Sequence, residues 1–136
     1  MTDANRPLRH NKLTVTYTQG RTMSIYRQGD VIIIKRESAP ANGIPATDPR
    51  GLVLADGETS GHHHQVFGRG VKLFRYKDTE QRFLTVAKSG AVVRVVGGEV
   101  NGVPRHIPVK LEGGNYEIRI QKSWDSALAA SERVAD

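Results

Sequence analysis

Short segments in which apolar and polar residues alternate, separated by glycine-containing turns, set the limits on what this chain can fold into. Residues 12–18, 71–76 and 116–121 alternate most clearly. A period of two places every second side chain on one face of an extended strand, so each segment reads as a half-buried strand. Residues 31–36 open with the continuous run Val31-Ile-Ile-Ile34, which reads as a strand buried on both faces. Further short strands are expected at 23–26, 52–55, 62–67, 82–87, 91–96 and 106–111. Lys88-Ser-Gly90 has the composition of a hairpin turn between two of them, and Pro108 marks its segment as an edge strand or a bulge. Residues 38–51, with three prolines and two glycines, read as loop.

This pattern predicts an all-β fold, a small β-sandwich or barrel, closed by a short C-terminal helix from Trp124 to Val134. Ser123 caps that helix and Asp125 suits its dipole. Trp124 and Leu128 lie on one helical face and are expected to dock it onto the sheet. Residues 1–11 are polar and aperiodic and read as a flexible N-terminal arm. Residues 12–136 then form one β-rich domain, as a length of 136 residues suggests.

The chain has no cysteine, which removes disulfides and thiolate metal sites from consideration and fits a reducing cytoplasm. No apolar run approaches membrane-spanning length, and the first residues hold no apolar segment of a secretory signal. The expected location is the cytoplasm, or a virion if a phage encodes the chain. A formal charge of +6 suits an acidic protein partner or nucleic acid, yet the basic residues are scattered rather than clustered. P-loop, dinucleotide-binding, H-E-x-x-H and G-x-S-x-G motifs are all missing from the sequence.

Chemistry-bearing residues crowd together at Asp56-Gly-Glu-Thr-Ser-Gly-His-His-His-Gln-Val66. On a strand, His62 and His64 point one way and His63 the other, so His62 and His64 form a pair able to hold one divalent transition metal. His106 is the third candidate ligand and Glu58 the fourth. Three protein ligands with an open position form the catalytic pattern. The same run also reads as an ordinary polar turn, with Thr59 or Ser60 bonding the backbone. Phe67, Phe74, Tyr76, Phe83 and Tyr116 fall at strand positions and read as core and rim packing rather than a base-stacking platform.

Four stretches together resemble a group of small uncharacterised proteins found in bacteria and their phages. They are Tyr26-Arg-Gln-Gly-Asp-Val31, Leu54-Ala-Asp-Gly-Glu-Thr-Ser-Gly-His-His-His64, His106-Ile-Pro-Val109 with Gly114-Asn-Tyr-Glu-Ile-Arg-Ile-Gln-Lys122, and Arg133-Val-Ala-Asp136. That group shares a Q-G-D-V opening, a G-E-x-T-G-H-x-H turn and an H-x-x-H-x-x-I strand, and the likeness covers about residues 25 to 136. It implies that Glu58, His62, His64 and His106 occupy motif positions, whereas Val103 replaces the first histidine of the later pair. It supplies positions, not an activity. An H-x-H with a distant histidine also resembles cupins, as an architectural analogy.

Three functions follow as expectations. The first is a binding or structural module, phage-associated by the resemblance, with a histidine-based metal or ligand site. It would act through an unknown protein partner or self-assembly. The second is a metal-dependent cupin-like enzyme of unknown substrate. The third is a nucleic-acid-binding small barrel, with Arg69, Lys72, Arg75, Lys77 and Arg82 along one hairpin.

Overall fold

The computed structural model describes residues 12–16, 22–57, 61–99, 101–102 and 106–121. The expected arm, the expected C-terminal helix and Glu58 lie outside the described residues.

The fold is all-β. Its strands are β1 (Lys12–Thr16), β2 (Thr22–Gln28), β3 (Val31–Arg36), β4 (Ile44–Pro45), β5 (Leu52–Asp56), β6 (His63–Phe67), β7 (Lys72–Arg75), β8 (Arg82–Val86), β9 (Ala91–Val96), β10 (Val109–Leu111) and β11 (Gly114–Ile120). They form a seven-stranded sheet in the order β1-β2-β3-β11-β8-β7-β4 and a four-stranded sheet in the order β10-β9-β6-β5. All pairings are antiparallel. The two sheets form a sandwich-like fold around one apolar core. Val31, Ile33, Leu84, Tyr116 and Ile118 of the larger sheet meet Leu54, Val66, Val93, Val109 and Leu111 of the smaller one. Alternation makes this possible, because each sheet turns one set of apolar side chains inward.

Two connections differ from the sequence reading. The turn at Lys88-Ser89-Gly90 is tight, with Gly90 N–H donating to Ala87 C=O at 2.8 Å, yet it makes no hairpin. β8 belongs to the larger sheet and β9 to the smaller, so the turn carries the chain across the sandwich. A short β4 also lies within the expected loop, pairing Ile44 with Arg75 and Pro45 with Phe74 on the sheet edge. Its proline is tolerated there because an edge strand needs no ladder on its outer side.

The outer face of the larger sheet carries a row that crosses all seven strands: Leu13, Ile25, Ile34, Glu117, Phe83, Phe74 and Pro45 stand side by side. Glu117 is the one charged member and is 8 % exposed. Burial pushes its carboxyl up, but hydrogen bonds from Arg36 and Arg119 outweigh this and hold it below the usual range. Arg36 donates through Nε at 3.0 Å and Nη2 at 2.8 Å, and Arg119 through Nε at 3.1 Å.

Arg82, one of the basic residues along the hairpin expected to meet nucleic acid, is hydrogen-bonded to the backbone of the other sheet. Its Nη1 and Nη2 donate to the carbonyls of Leu54 and Val53, at 2.7 and 3.1 Å. Both residues lie on the edge strand β5, at the register shift between Val53 and Ala55. No helix among the described residues is long and apolar enough to cross a membrane.

Candidate functional site

The site forms at one end of the sandwich, where the β2–β3 hairpin of the larger sheet meets the start of β6 in the smaller sheet. Gln28 and Val31 pair across this hairpin, so its loop is Gly29-Asp30. Gly29 has φ +60° and Asp30 does not share the positive φ, the pattern of a type II′ turn. Such a turn matches the twist of the strands and demands glycine first. It leaves Gln28 pointing inward and Asp30 at the tip.

Gln28 is 1 % exposed, and its amide joins three elements. Nε2 donates to Val93 C=O at 3.1 Å and to Ile107 C=O at 2.9 Å. Both amide hydrogens are thereby used, and Oε1 is left as an acceptor. His64 Nδ1 lies 2.8 Å from that oxygen, so Nδ1 must carry the proton. The tautomer of His64 is thus assigned by the network, and its lone pair is on Nε2.

Nε2 of His64 faces Asp30 Oδ1 at 3.9 Å and has no hydrogen-bond donor among the described residues. No fully buried side-chain nitrogen or oxygen among those residues lacks a partner, so Nε2 reaches solvent. The His106 ring lies beside it, with ring centroids 6.1 Å apart and planes 29° apart. Gly29 closes the floor: a Cβ there would meet His106 Nε2 at 3.3 Å and His64 Cε1 at 3.4 Å. Burial first, then the nearby His106, His62 and His63, lower the His64 pKa to about 4. His64 is therefore a neutral imidazole at neutral pH.

The predicted alternation holds through the histidine run. His62 and His64 are buried, and His63 is half-exposed, bonding Gln65 Oε1 through Nε2 at 2.8 Å. The structure brings His64 and His106 together. The His62 ring instead lies over the backbone of Gly57 and against Gly98. His106 sits in a bend before β10, which is shorter than the segment expected from 106. Among the described residues, no three His, Asp or Glu side chains are already converged as a metal-binding group.

Gln28, Gly29 and Asp30 were absent from the candidate ligands. The sequence marks them only as a turn and as the Q-G-D-V opening of the resemblance. Their importance comes from contacts with residues far along the chain, 36 positions away in the case of His64.

No curated protein and no solved structure matches the chain. The family described as Domain of unknown function (DUF8820) matches residues 27–121, well over half of the chain and inclusive of Gln28, Asp30, His64 and His106, and the chain belongs to that family.

Proposed function

We propose that this protein is a small binding module whose specific ligand is a divalent transition-metal ion, held by His64 and His106 with Asp30 as a third donor. The carrying observation is the pair of acceptors that face each other, His64 Nε2 and Asp30 Oδ1, 3.9 Å apart. A lone pair and a carboxylate oxygen repel unless a cation or a donor lies between them. Donors about 2.0–2.2 Å from one ion lie roughly 3–4 Å from each other, so these two need little rearrangement, and the His106 ring must turn towards them. The Nδ1–H bond to Gln28 is the kind of outer partner that fixes a ligating histidine. Two imidazoles and a carboxylate suit zinc, nickel, cobalt or manganese. They would leave positions open to solvent, to a partner side chain or to a substrate.

Titration calorimetry of the untagged, chelator-treated protein with Zn²⁺, Ni²⁺ and Mn²⁺ tests this. The expectation is about one ion per chain with at least one of these metals. Affinity should fall more than about tenfold in His64→Ala and in His106→Ala and be retained in His63→Ala. Equal binding by wild type and the His64/His106 double variant would overturn the reading. His62→Ala and Glu58→Gln then decide whether the remaining motif positions add a ligand.

A further inference from the structure

We propose a second, independent site: the solvent face of the four-stranded sheet, together with the groove along its β10 edge, binds single-stranded nucleic acid. Neither His64 nor His106 lines this surface.

Pairing aligns Lys110, Val92 and Phe67 in one row across β10, β9 and β6. Phe67 is 41 % exposed, in contrast to the packing expected for it. An exposed aromatic ring on a flat sheet is a stacking surface for a base, and its row-mate Lys110 lies two strands away, roughly 10 Å. Arg94 is exposed on the same face, in the next row beside Gln65.

Lys110 also borders the groove, of about 850 Å³, that runs along β10. Lys12 and Lys88 line it, over a floor that includes Tyr26, Ile107 and Pro108. Lys12 sits 5.6 Å from the Tyr26 ring centre. Lys88, Arg94 and Lys110 have no carboxylate partner among the described residues. Glu112, which lines the groove, is paired with Lys35, and Arg50 is shared by Asp48 and Asp56 at the β5 side of the sheet. The result is a positive track that passes from a stacking platform around a sheet edge into a groove.

Charge complementarity calls for a polyanion, and two features select among polyanions. A peptide adding a strand to β10 is disfavoured, because Pro108 precedes this strand of three residues and Lys110 projects from it. Both are devices that block edge pairing. The exposed ring favours unstacked bases, which a duplex does not offer.

The test is fluorescence anisotropy with labelled oligothymidylate of about 15 nucleotides, starting near 50 mM salt. Binding is expected, with a steep log–log loss of affinity as salt rises. Lys88→Glu with Lys110→Glu should cost at least about tenfold and make the salt slope shallower by roughly two. Phe67→Ala should cost about tenfold and leave the slope unchanged, because stacking releases no counterions. Phe67→Leu, which keeps apolar bulk without the ring, should also lose affinity and guards against a folding artefact. Absence of binding overturns the proposal. So does a duplex that binds as tightly as the single strand. Polyglutamate that competes equally, with Phe67→Ala unaltered, overturns it in favour of an acidic protein partner.

Discussion

His64 Nδ1 lies 2.8 Å from Oε1 of Gln28, and this one bond decides which nitrogen the site presents. The glutamine couples the sheets as well as orienting the imidazole, because its amide also ties β9 to the segment before β10. Stability and ligand affinity are therefore linked at this residue. Gln28→Leu removes the bonds that the amide makes to the Val93 and Ile107 carbonyls and to His64 Nδ1–H. Its expected cost is about 1–3 kcal/mol in urea unfolding. Zinc affinity should fall about 10–100-fold in the same variant, because the ring loses its orientation. Calorimetry on folded Gln28→Leu checks the second effect, and an unchanged affinity would show that the orienting bond is irrelevant to the metal.

A pH dependence follows from the same imidazole. The His64 pKa is about 4 in the folded protein, against an ordinary 6.5. The unfolded chain therefore takes up a proton between these values while the folded chain does not. Stability is full above about 6.5, declines as pH falls towards about 4, and loses up to roughly 3 kcal/mol over that window. Glu117, held below its usual range, extends the decline at lower pH. Urea midpoints of metal-free protein at pH 7.5 and 4.5 check this. His64→Asn keeps a donor for Gln28 but cannot titrate, so it should flatten the pH dependence in that interval. The same pH slope in wild type and His64→Asn would assign the effect to other groups.

The strands were legible because their signal is local. Alternation and glycine punctuation are written into each segment, and so is the outward turn of His63 between two buried histidines. Connection across the sandwich was not legible. A tight Lys-Ser-Gly turn looks the same whether the chain returns to its own sheet or crosses to the other. β4 was hidden because Ile44-Pro45 lies among prolines and glycines that argue for loop. At the site, period two placed His62 and His64 on one face. It carried no information on how far each ring reaches, and the Gly57 and Gly98 backbones accept the His62 ring. Gln28 was invisible for a related reason: a buried amide is recognised by its partners, and these come from three distant segments.

Gly29 tests the floor of the site. Alanine there must adopt φ near +60°, which disfavours any residue with a Cβ, and that Cβ would press on both His106 and His64. Gly29→Ala should lose about 1–2 kcal/mol from the backbone conformation. It should also weaken zinc binding by moving the two imidazoles apart. Gly61 provides the control, since it too has positive φ, but nothing lies within 4 Å of where its Cβ would be. Gly61→Ala should show the backbone cost without the loss of metal. Parallel loss in both variants would mean that the effect at Gly29 is strain alone.

Glu117 interrupts an otherwise apolar row on the outer face of the larger sheet, between Ile34 and Phe83. Its carboxylate sits between two guanidinium groups, with side-chain exposure of 11 %, against 33 % for Arg36 and 52 % for Arg119. Removing the acid leaves two cations near apolar neighbours with no counter-charge. Removing one arginine leaves an acid that still has a partner. The arginines reach water, so the cost of Glu117→Ala should fall below that of a fully enclosed pair, at about 2–3 kcal/mol. Arg119→Ala, at the more exposed end, should cost under about 1 kcal/mol. Glu117→Leu continues the row of Ile34 and Phe83, and with Arg36→Met added it should recover much of the loss, as buried ion pairs replaced by apolar side chains do. Urea unfolding of the single and double variants provides the cycle. If Arg36→Met makes Glu117→Leu worse rather than better, the carboxylate and the guanidinium do not act as a pair.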